Sequence, residues 1–272
     1  MRVVLYNDTT LINKHFGPQF VVQSAREQMA KCGMELIGSL HRDALPDDNR
    51  ALLAQADLVI VNGEGSLHHG RCRHLVDIAN EYPAALINCV YQENEPNEAL
   101  SKFLVVTARE TRSANHLKEC GARDVKVVPD LMFGSSLLHR WKRGAPTLDI
   151  GMTDNVVDRE SGHPPFTPDA VDYLRWLSQY RRIVCGRYHA AVACCVLGIP
   201  FSCWPSNTWK IEGMLDDMRL PDLCFASKED AVQNCPSQMN AASQQKIGNY
   251  VSTATAKIEQ LFDQLCNRTL HV

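Results

Sequence analysis

An arginine and a histidine, two positions apart, stand where a short apolar run gives way to an Ala-rich segment. The run at residues 183–185 (IVC) leads into Gly186, and Arg187 and His189 follow it. This pattern predicts a strand, a tight turn and a helix N-terminus, where backbone N–H groups and the helix dipole receive anions. The Arg187 guanidinium suits a carboxylate or a phosphate, and the His189 imidazole can move a proton near neutral pH. The alternative is an arginine paired with a structural carboxylate.

A glycine-rich loop follows another predicted strand. Residues 58–61 (LVIV) have the all-apolar pattern of a parallel strand buried on both faces, and Gly63, Glu64, Gly65 and Ser66 come soon after it. Ligands of open α/β sheets bind at the carboxyl ends of strands, which favours a ligand site here. The loop matches neither a Walker loop nor a G-x-G-x-x-G fingerprint. The alternative is an ordinary turn in which Glu64 is solvated.

Three further charged residues follow predicted strands. Arg109 can hold an anion at the mouth of its strand, or it can begin a salt-bridged helix. Asp130 lies at a strand end, where it can cap the turn that follows it. Lys210 can reach the same pocket as Arg187 or lie at the surface as an ordinary lysine.

The histidines and cysteines predict neither a metal site nor a disulfide framework. His68, His69, Cys72 and His74 lie close in sequence, but no acidic pattern accompanies them, which favours surface histidines. The eleven cysteines include no C-x-x-C pair. We expect most of them to be small core residues in a reducing compartment, and the protein to be cytoplasmic. We expect no metal and no other cofactor.

The composition is that of a globular protein, with 45% hydrophobic and 22% charged residues. A net charge of −3 without a basic run excludes an electrostatic footprint for nucleic acid. No apolar stretch approaches the roughly 18 residues of a spanning helix, so we expect at most peripheral contact with a membrane. The first residues, MRVVLYND, are interpreted as a buried strand rather than a signal peptide.

Apolar runs that alternate with helical patterns predict a doubly wound α/β fold. Strands are expected near residues 3–6, 34–38, 58–61, 84–88, 103–107, 125–128, 148–152, 182–185 and 201–204. Residues 138–146 are basic and aperiodic, and we interpret them as a linker between a domain of residues 1–137 and a smaller one of residues 147–272. Apolar positions from Ile247 to Leu265 share one helical face, which predicts a closing helix that crosses back onto the first domain.

Taken in order, four segments resemble those of the polysaccharide pyruvyl transferase family. They are residues 57–67 (DLVIVNGEGSL), residues 108–130 with an R-E-x-x-S helix start and a later P-D, residues 186–189 (GRYH), and residues 197–200 (LGIP) with Lys210 beyond them. Glu64 stands where a glycine is usual, and Tyr188 replaces the leucine of an R-L-H motif. In place of an N-x-G-D loop the chain has Asn7-Asp8 and residues 15–19 (HFGPQ), and residues 161–166 (SGHPPF) replace about one strand–helix unit.

The resemblance implies a GT-B-like fold, in which two Rossmann-like domains face a cleft. It implies phosphoenolpyruvate as the donor, and a sugar or lipid-linked saccharide of a cell-surface polysaccharide as the acceptor. The product is a sugar that carries a pyruvate ketal. A base must take the proton of the attacking sugar hydroxyl, and Glu64 and Asp130 are the two candidates.

The resemblance also implies roles for the basic residues. Arg187 and Arg109, with Lys210 as a further candidate, would hold the carboxylate and the phosphate of the donor. Positive groups there stabilise the charge that develops on the leaving phosphate. His189 would be the general acid that protonates the enol carbon, since its pKa can lie near the operating pH.

Two other classes of function stay open, because one architecture hosts several chemistries. The first is a GT-B glycosyltransferase that uses a nucleotide-activated sugar. The second is a sugar- or anion-binding module without catalysis, which would need Arg187 but not a titrating His189. Stabilisation of the chain by phosphoenolpyruvate, but not by nucleotides, would favour the pyruvyl transferase.

Overall fold

A computed structural model describes residues 1–11, 15–157 and 169–268 of the chain. Residues 161–166, which replace a strand–helix unit of the related family, lie outside these ranges. The chain divides into two compact units by its internal contacts. Unit 1 comprises Met1–Asn13, Val22–Leu131 and Ala256–Val272, and unit 2 comprises Lys14–Val21 and Met132–Thr255.

Unit 1 is built on a six-stranded parallel sheet. Its strands are β1 (Arg2–Tyr6), β2 (Glu35–Leu40), β3 (Leu58–Glu64), β4 (Ala84–Cys89), β5 (Val105–Ala108) and β6 (Lys126–Val127). They lie in the order β2-β1-β3-β4-β5-β6, and every neighbouring pair is parallel. Every residue of β3 and β4 is buried, as expected for central strands covered on both faces. The mixed α/β architecture predicted from the sequence is confirmed.

Helices of this half of the chain connect the strands. They are α1 (Phe16–Lys31), α2 (Arg50–Leu53), α3 (His74–Asp77) and α4 (Thr111–Glu119). The N-terminus of α4 is capped by Glu110, whose side chain accepts a hydrogen bond from the N–H of Ser113 over 2.9 Å. A carboxylate there also suits the positive end of the helix dipole, which explains why the helix begins directly after β5.

The order of the strands places a change of winding direction between β1 and β3. The chain passes from β1 to β2 on one side, and continues from β3 to β6 on the other side of β1. In open parallel sheets, such a point opens a crevice at the carboxyl ends of the strands, where ligands bind. The glycine-rich loop after β3 belongs to this edge.

Unit 2 contains a three-stranded parallel sheet in the order β7-β8-β9. Its strands are β7 (Leu148–Met152), β8 (Tyr180–Cys185) and β9 (Phe201–Cys203). The remaining helices are α5 (Ser136–Arg140), α6 (Ala170–Ser178), α7 (Tyr188–Leu197), α8 (Lys210–Asp217), α9 (Lys228–Gln233) and α10 (Ala241–Arg268). The Ala- and Cys-rich α7 is largely buried, and Gly198 ends it with a φ of 65°, which glycine adopts without steric cost.

Two differences from the sequence-based elements concern short segments. α1 begins at Phe16 rather than near Pro18, so Phe16 and Gly17 belong to its first turn. α5 overlaps the start of the predicted linker at residues 138–146. A helix of five residues is too short to show a period. The two units divide between Leu131 and Met132, and the domain limits proposed from the sequence stay a prediction.

The cysteines and the helices bear on the expected environment of the chain. All eleven cysteines are free, and seven of them are buried. Burial raises the pKa of Cys185 and Cys195 well above the usual range, so these residues pack as neutral thiols. No helix within the described ranges is long and apolar enough to span a bilayer.

Candidate active site

The turn after β8 is shaped by Gly186. A Cβ built on Gly186 would lie 2.3 Å from Cζ2 of Trp204 and 2.6 Å from the carbonyl oxygen of Asp154, so the turn has no room for a side chain. The N–H groups of Gly186 and Arg187 donate to Oγ1 of Thr153 over 2.9 and 3.2 Å. Arg187 is the N-cap residue of α7. The predicted strand, turn and helix N-terminus are confirmed.

The guanidinium of Arg187 forms a bidentate ion pair with Asp154. Nε donates to Oδ1 over 2.7 Å, and Nη2 donates to Oδ2. The two side chains are 14% and 16% exposed. The structural carboxylate that the sequence left open is therefore present. A bidentate pair fixes the plane of the guanidinium, and its Nη1 edge takes no part in the pair, so an incoming anion would meet an arginine that is already oriented.

The imidazole of His189 lies in the first turn of α7, against the backbone of Gly17. A Cβ built on Gly17 would lie 2.1 Å from Nδ1 of His189. Phe16 meets the imidazole edge-on, with ring centroids 6.4 Å apart, and Tyr188 does so at 5.4 Å. Phe16 in turn stacks on the buried ring of Tyr173. Packing on several sides therefore fixes the orientation of His189.

His15 contacts the same glycine. Its Nδ1 accepts a hydrogen bond from the N–H of Gly17 over 3.1 Å, so in the neutral ring Nε2 carries the proton. Its ring stacks on Phe16 with centroids 4.5 Å apart. The two imidazoles, of His15 and His189, therefore share the backbone of Gly17 and the ring of Phe16 as common neighbours.

The charges of three basic side chains of unit 2 act on His15. Burial, followed by the charges of His189, Arg187 and Lys210, lowers the pKa of His15 to about 3. Lys210 begins α8 and donates to Oδ1 of Asn207 over 2.6 Å. Charge interactions weaken with distance, so the groups that act on His15 lie near it and belong to one site. Three of them were predicted, and His15 is the residue that sequence reasoning missed.

In unit 1, Arg109 and Asp130 form a buried ion pair. They follow β5 and β6, which are neighbours in the sheet. Nη1 of Arg109 donates to Oδ2 of Asp130 over 2.5 Å, and the side chains are 1% and 0% exposed. Removing one member of such a pair leaves an uncompensated buried charge, at a cost of about 3–5 kcal/mol. The pair therefore holds this edge of the sheet together and engages the carboxylate of Asp130.

Glu64 ends β3 and is buried, so the interpretation of a solvated side chain is wrong. It is 6% exposed, and its Oε2 accepts a hydrogen bond from the hydroxyl of Thr9 over 2.6 Å. β3 extends through Glu64, beyond the apolar run that predicted it. A Cβ built on Gly63 would lie 2.8 Å from Cα of Cys89, so β3 and β4 need a glycine there. Gly65 is exposed.

Buried asparagines link the carboxyl ends of β1, β3 and β4. Nδ2 of Asn7 donates to the carbonyl oxygen of Asn62 over 2.5 Å and to Oγ of Ser66 over 3.1 Å. Nδ2 of Asn88 donates to Oδ1 of Asn62 over 2.9 Å. Asn7 and Asn88 have φ values of 64° and 55°, and such strain is common at functional sites. The sequence signal was an amide at the end of each apolar strand.

The predicted residues thus belong to two sets, one in each unit. Those of unit 2 are Gly186, Arg187, His189 and Lys210, and those of unit 1 are Gly63, Glu64, Gly65, Ser66, Arg109 and Asp130. In the part of the chain that the structure describes, no three His, Cys, Asp or Glu side chains are grouped so as to hold a metal ion.

An α/β protein whose basic, titratable side chains gather after its strands is typical of enzymes that act on anionic substrates. The polysaccharide pyruvyl transferase family matches this chain over residues 11–203, which is more than half of its length. The chain belongs to this family, and membership indicates a transferase of polysaccharide pyruvylation.

Structural comparison supports the fold. The crystal structure of an uncharacterised protein from Klebsiella pneumoniae subsp. pneumoniae NTUH-K2044 is similar, with a TM-score of 0.60 and 15% sequence identity. The match covers 88% of this chain and 91% of that one. At such low identity the likeness shows the fold alone. A comparison with curated proteins gave no match.

Proposed function

We propose that the chain transfers a pyruvyl group from phosphoenolpyruvate to a sugar of a cell-surface polysaccharide or its precursor, and forms a pyruvate ketal. Membership in the family supports pyruvyl transfer. The observation that carries the choice of donor is the gathering of His15, Arg187, His189 and Lys210 in unit 2. Phosphoenolpyruvate carries a carboxylate and a phosphate, and it reacts by accepting a proton, so it needs both cations and an acid.

The basic side chains divide the work of holding the donor. Arg187, oriented by Asp154, binds one anionic group through its Nη1 edge. Lys210 neutralises the second group as a point charge. His15 is neutral in the free protein because its pKa is about 3, and the arrival of a multiply charged anion raises that pKa. The same cations stabilise the charge of the departing phosphate.

The reaction requires one proton donor and one base. His189 donates a proton to C3 of phosphoenolpyruvate, which makes C2 an oxocarbenium-like centre. The oxygen of a sugar hydroxyl bonds to C2, and its proton passes to the base. The bond from C2 to the phosphate oxygen then breaks, and phosphate leaves with the electron pair. A second hydroxyl of the same sugar bonds to C2 and closes the ketal; its proton returns to His189, and the proton held by the base passes to the departing phosphate. One donor and one sugar therefore yield one ketal and one phosphate.

Of the two carboxylates, we assign the base to Glu64. Asp130 is engaged by the Arg109 guanidinium in a buried ion pair, and Glu64 directly precedes Gly65 and Ser66, which line a pocket of unit 1. A carboxylate already paired with a buried cation is the poorer proton acceptor. The role of Arg109 in holding the donor stays a prediction. So does the GT-B-like arrangement of two domains facing a cleft.

The proposal is tested by supplying phosphoenolpyruvate with a panel of saccharides that end in different sugars. We expect phosphate release that depends on one class of acceptor, with an equal amount of a ketal-linked pyruvate detected by NMR. If the protein instead consumes nucleotide sugars in the presence of the same saccharides and leaves phosphoenolpyruvate unchanged, the chain is a glycosyltransferase. Tight saccharide binding with no turnover of either donor would make it a binding module.

A further inference from the structure

Unit 1 has a polar pocket of about 410 Å³ beside the glycine-rich loop. The residues that line it include Arg42, Gly65, Ser66, Arg71, Cys72 and His74. Its volume lies within the range of small-ligand sites, roughly 300–1,000 Å³. The lining residues come from the chain segments that follow β2 and β3. The sheet changes its winding direction between β1 and β3. The pocket therefore stands where open parallel sheets bind ligands.

The pocket carries more positive than negative charge. Its lining includes the guanidinium groups of Arg42 and Arg71 and one carboxylate, that of Asp43. Burial raises the pKa of Cys72, and the charges of Arg42 and Arg71 oppose that rise. Both guanidinium groups therefore lie near the same thiol. Nε of Arg42 lies 3.4 Å from Oδ1 of Asp43, with side chains 41% and 60% exposed. Such an exposed pair contributes little to stability, so an oxyanion can displace the carboxylate at little cost.

Hydrogen bonds hold the two segments that carry these arginines. The hydroxyl of Tyr6 donates to the carbonyl oxygen of Ala44, and Nε2 of His74 donates to that of Arg42. On the other side, the N–H of Gly70 donates to an asparagine side chain over 3.0 Å. A site whose loops are already held loses less entropy when it binds a ligand.

We propose that this pocket binds an oxyanion, either a phosphate ester or a carboxylate, that is carried by the acceptor saccharide. The inference rests on the proposed function, because it concerns that reaction's acceptor. Gly65 and Ser66 line the pocket and directly follow Glu64, the proposed base, in the chain. An acceptor anchored by its anionic group therefore lies beside the residue that takes up the hydroxyl proton. Two guanidinium groups select an oxyanion over a neutral hydroxyl, since their forks match its geometry.

Binding to the full chain can be measured with three probes: glucose, glucose 1-phosphate and glucuronate. The backbone amide signals of Gly65 and Gly186 report the two sites separately. We expect both anionic sugars to shift the Gly65 signal saturably, while glucose at the same concentration does not. Substituting Arg42→Ala or Arg71→Ala should weaken this binding about tenfold or more, as expected for a lost charged hydrogen bond.

A matched control is Arg73→Ala. Arg73 lies two residues beyond Arg71, is 66% exposed and pairs with Asp77, so the variant removes the same charge outside the pocket. It should change the affinity for the anionic sugars by no more than about twofold, because exposed charged pairs contribute little energy. The proposal is overturned if glucose shifts the Gly65 signal as strongly, if Arg73→Ala weakens binding as much as Arg71→Ala, or if the anions shift only the Gly186 signal. If the unmodified chain does not bind phosphoenolpyruvate, that result would instead contradict the proposed donor.

Discussion

The backbone of Gly17 lies directly against the imidazole of His189, so that a Cβ at Gly17 would be 2.1 Å from Nδ1. The N–H of the same glycine donates to Nδ1 of His15 over 3.1 Å. A segment near the N-terminus of the chain thus sets the position of the histidine that we propose as the proton donor. This relationship explains why the first turn of α1 contains a glycine, which is a poor helix former.

Substituting Gly17→Ala should displace His189, because its Cβ would overlap the ring. A displacement of about 1 Å can cost about a hundredfold in rate, so we expect a loss of that order in the single-turnover rate, with donor affinity less affected. Gly248→Ala is the matched control, since a Cβ there meets nothing within 4 Å. It should leave the rate unchanged. Equal rates for both variants would show that His189 tolerates displacement or takes no part in the chemistry.

Substituting His189→Gln should lower the rate far more than the affinity. A general acid acts mainly in the transition state, so we expect a loss of roughly 10²–10⁴-fold in turnover and only a few-fold change in donor binding. Both quantities can be measured on the same preparation. A parallel fall in rate and affinity would mean that His189 holds phosphate instead, and near-normal turnover would remove it from the mechanism.

Substituting Arg187→Lys should not restore the donor binding lost in Arg187→Ala, since an ammonium cannot replace an oriented fork. Asp154→Asn tests the orientation directly: the guanidinium keeps its charge but loses its bidentate partner. We expect this variant to bind phosphoenolpyruvate more weakly although the site becomes more positive. Calorimetry distinguishes the two effects, because tighter binding by Asp154→Asn would mean that Asp154 merely competes with the donor.

The strand, turn and helix around Gly186 could be predicted because an apolar run, a glycine and a small-residue helix are local signals. The role of Asp154 could not be predicted, because its pairing with Arg187 depends on β7 and β8 being neighbours in the sheet. His15 was missed for a similar reason: it and His189 share Phe16 as a neighbour only in the folded chain. In unit 1, Arg109 and Asp130 were predicted separately from their places after strands. Their pairing depends on β5 and β6 being neighbours in the sheet.

Stability should depend on pH through His15. Its pKa is about 3 in the folded chain against an ordinary value of 6.5, so below pH 6.5 the unfolded state binds a proton that the folded state does not. The free energy of unfolding should therefore fall as pH drops from about 6.5 towards 3, by up to about 1.4 kcal/mol per pH unit from this group. Urea unfolding of the unmodified chain and of His15→Gln at pH 7 and pH 5 measures it. The same loss in both proteins would contradict a half-buried, neutral His15.

We infer that His15, Arg187, His189 and Lys210 of unit 2 bind phosphoenolpyruvate. The most direct measurement is thermal unfolding with phosphoenolpyruvate, with a nucleoside diphosphate sugar and with neither, on the unmodified chain and on Arg187→Ala. A ligand that binds only the folded state raises the transition temperature by linkage. We predict that phosphoenolpyruvate raises it in the unmodified chain, that Arg187→Ala abolishes the effect, and that the nucleotide sugar has none. Stabilisation by the nucleotide sugar but not by phosphoenolpyruvate would contradict a phosphoenolpyruvate site in unit 2.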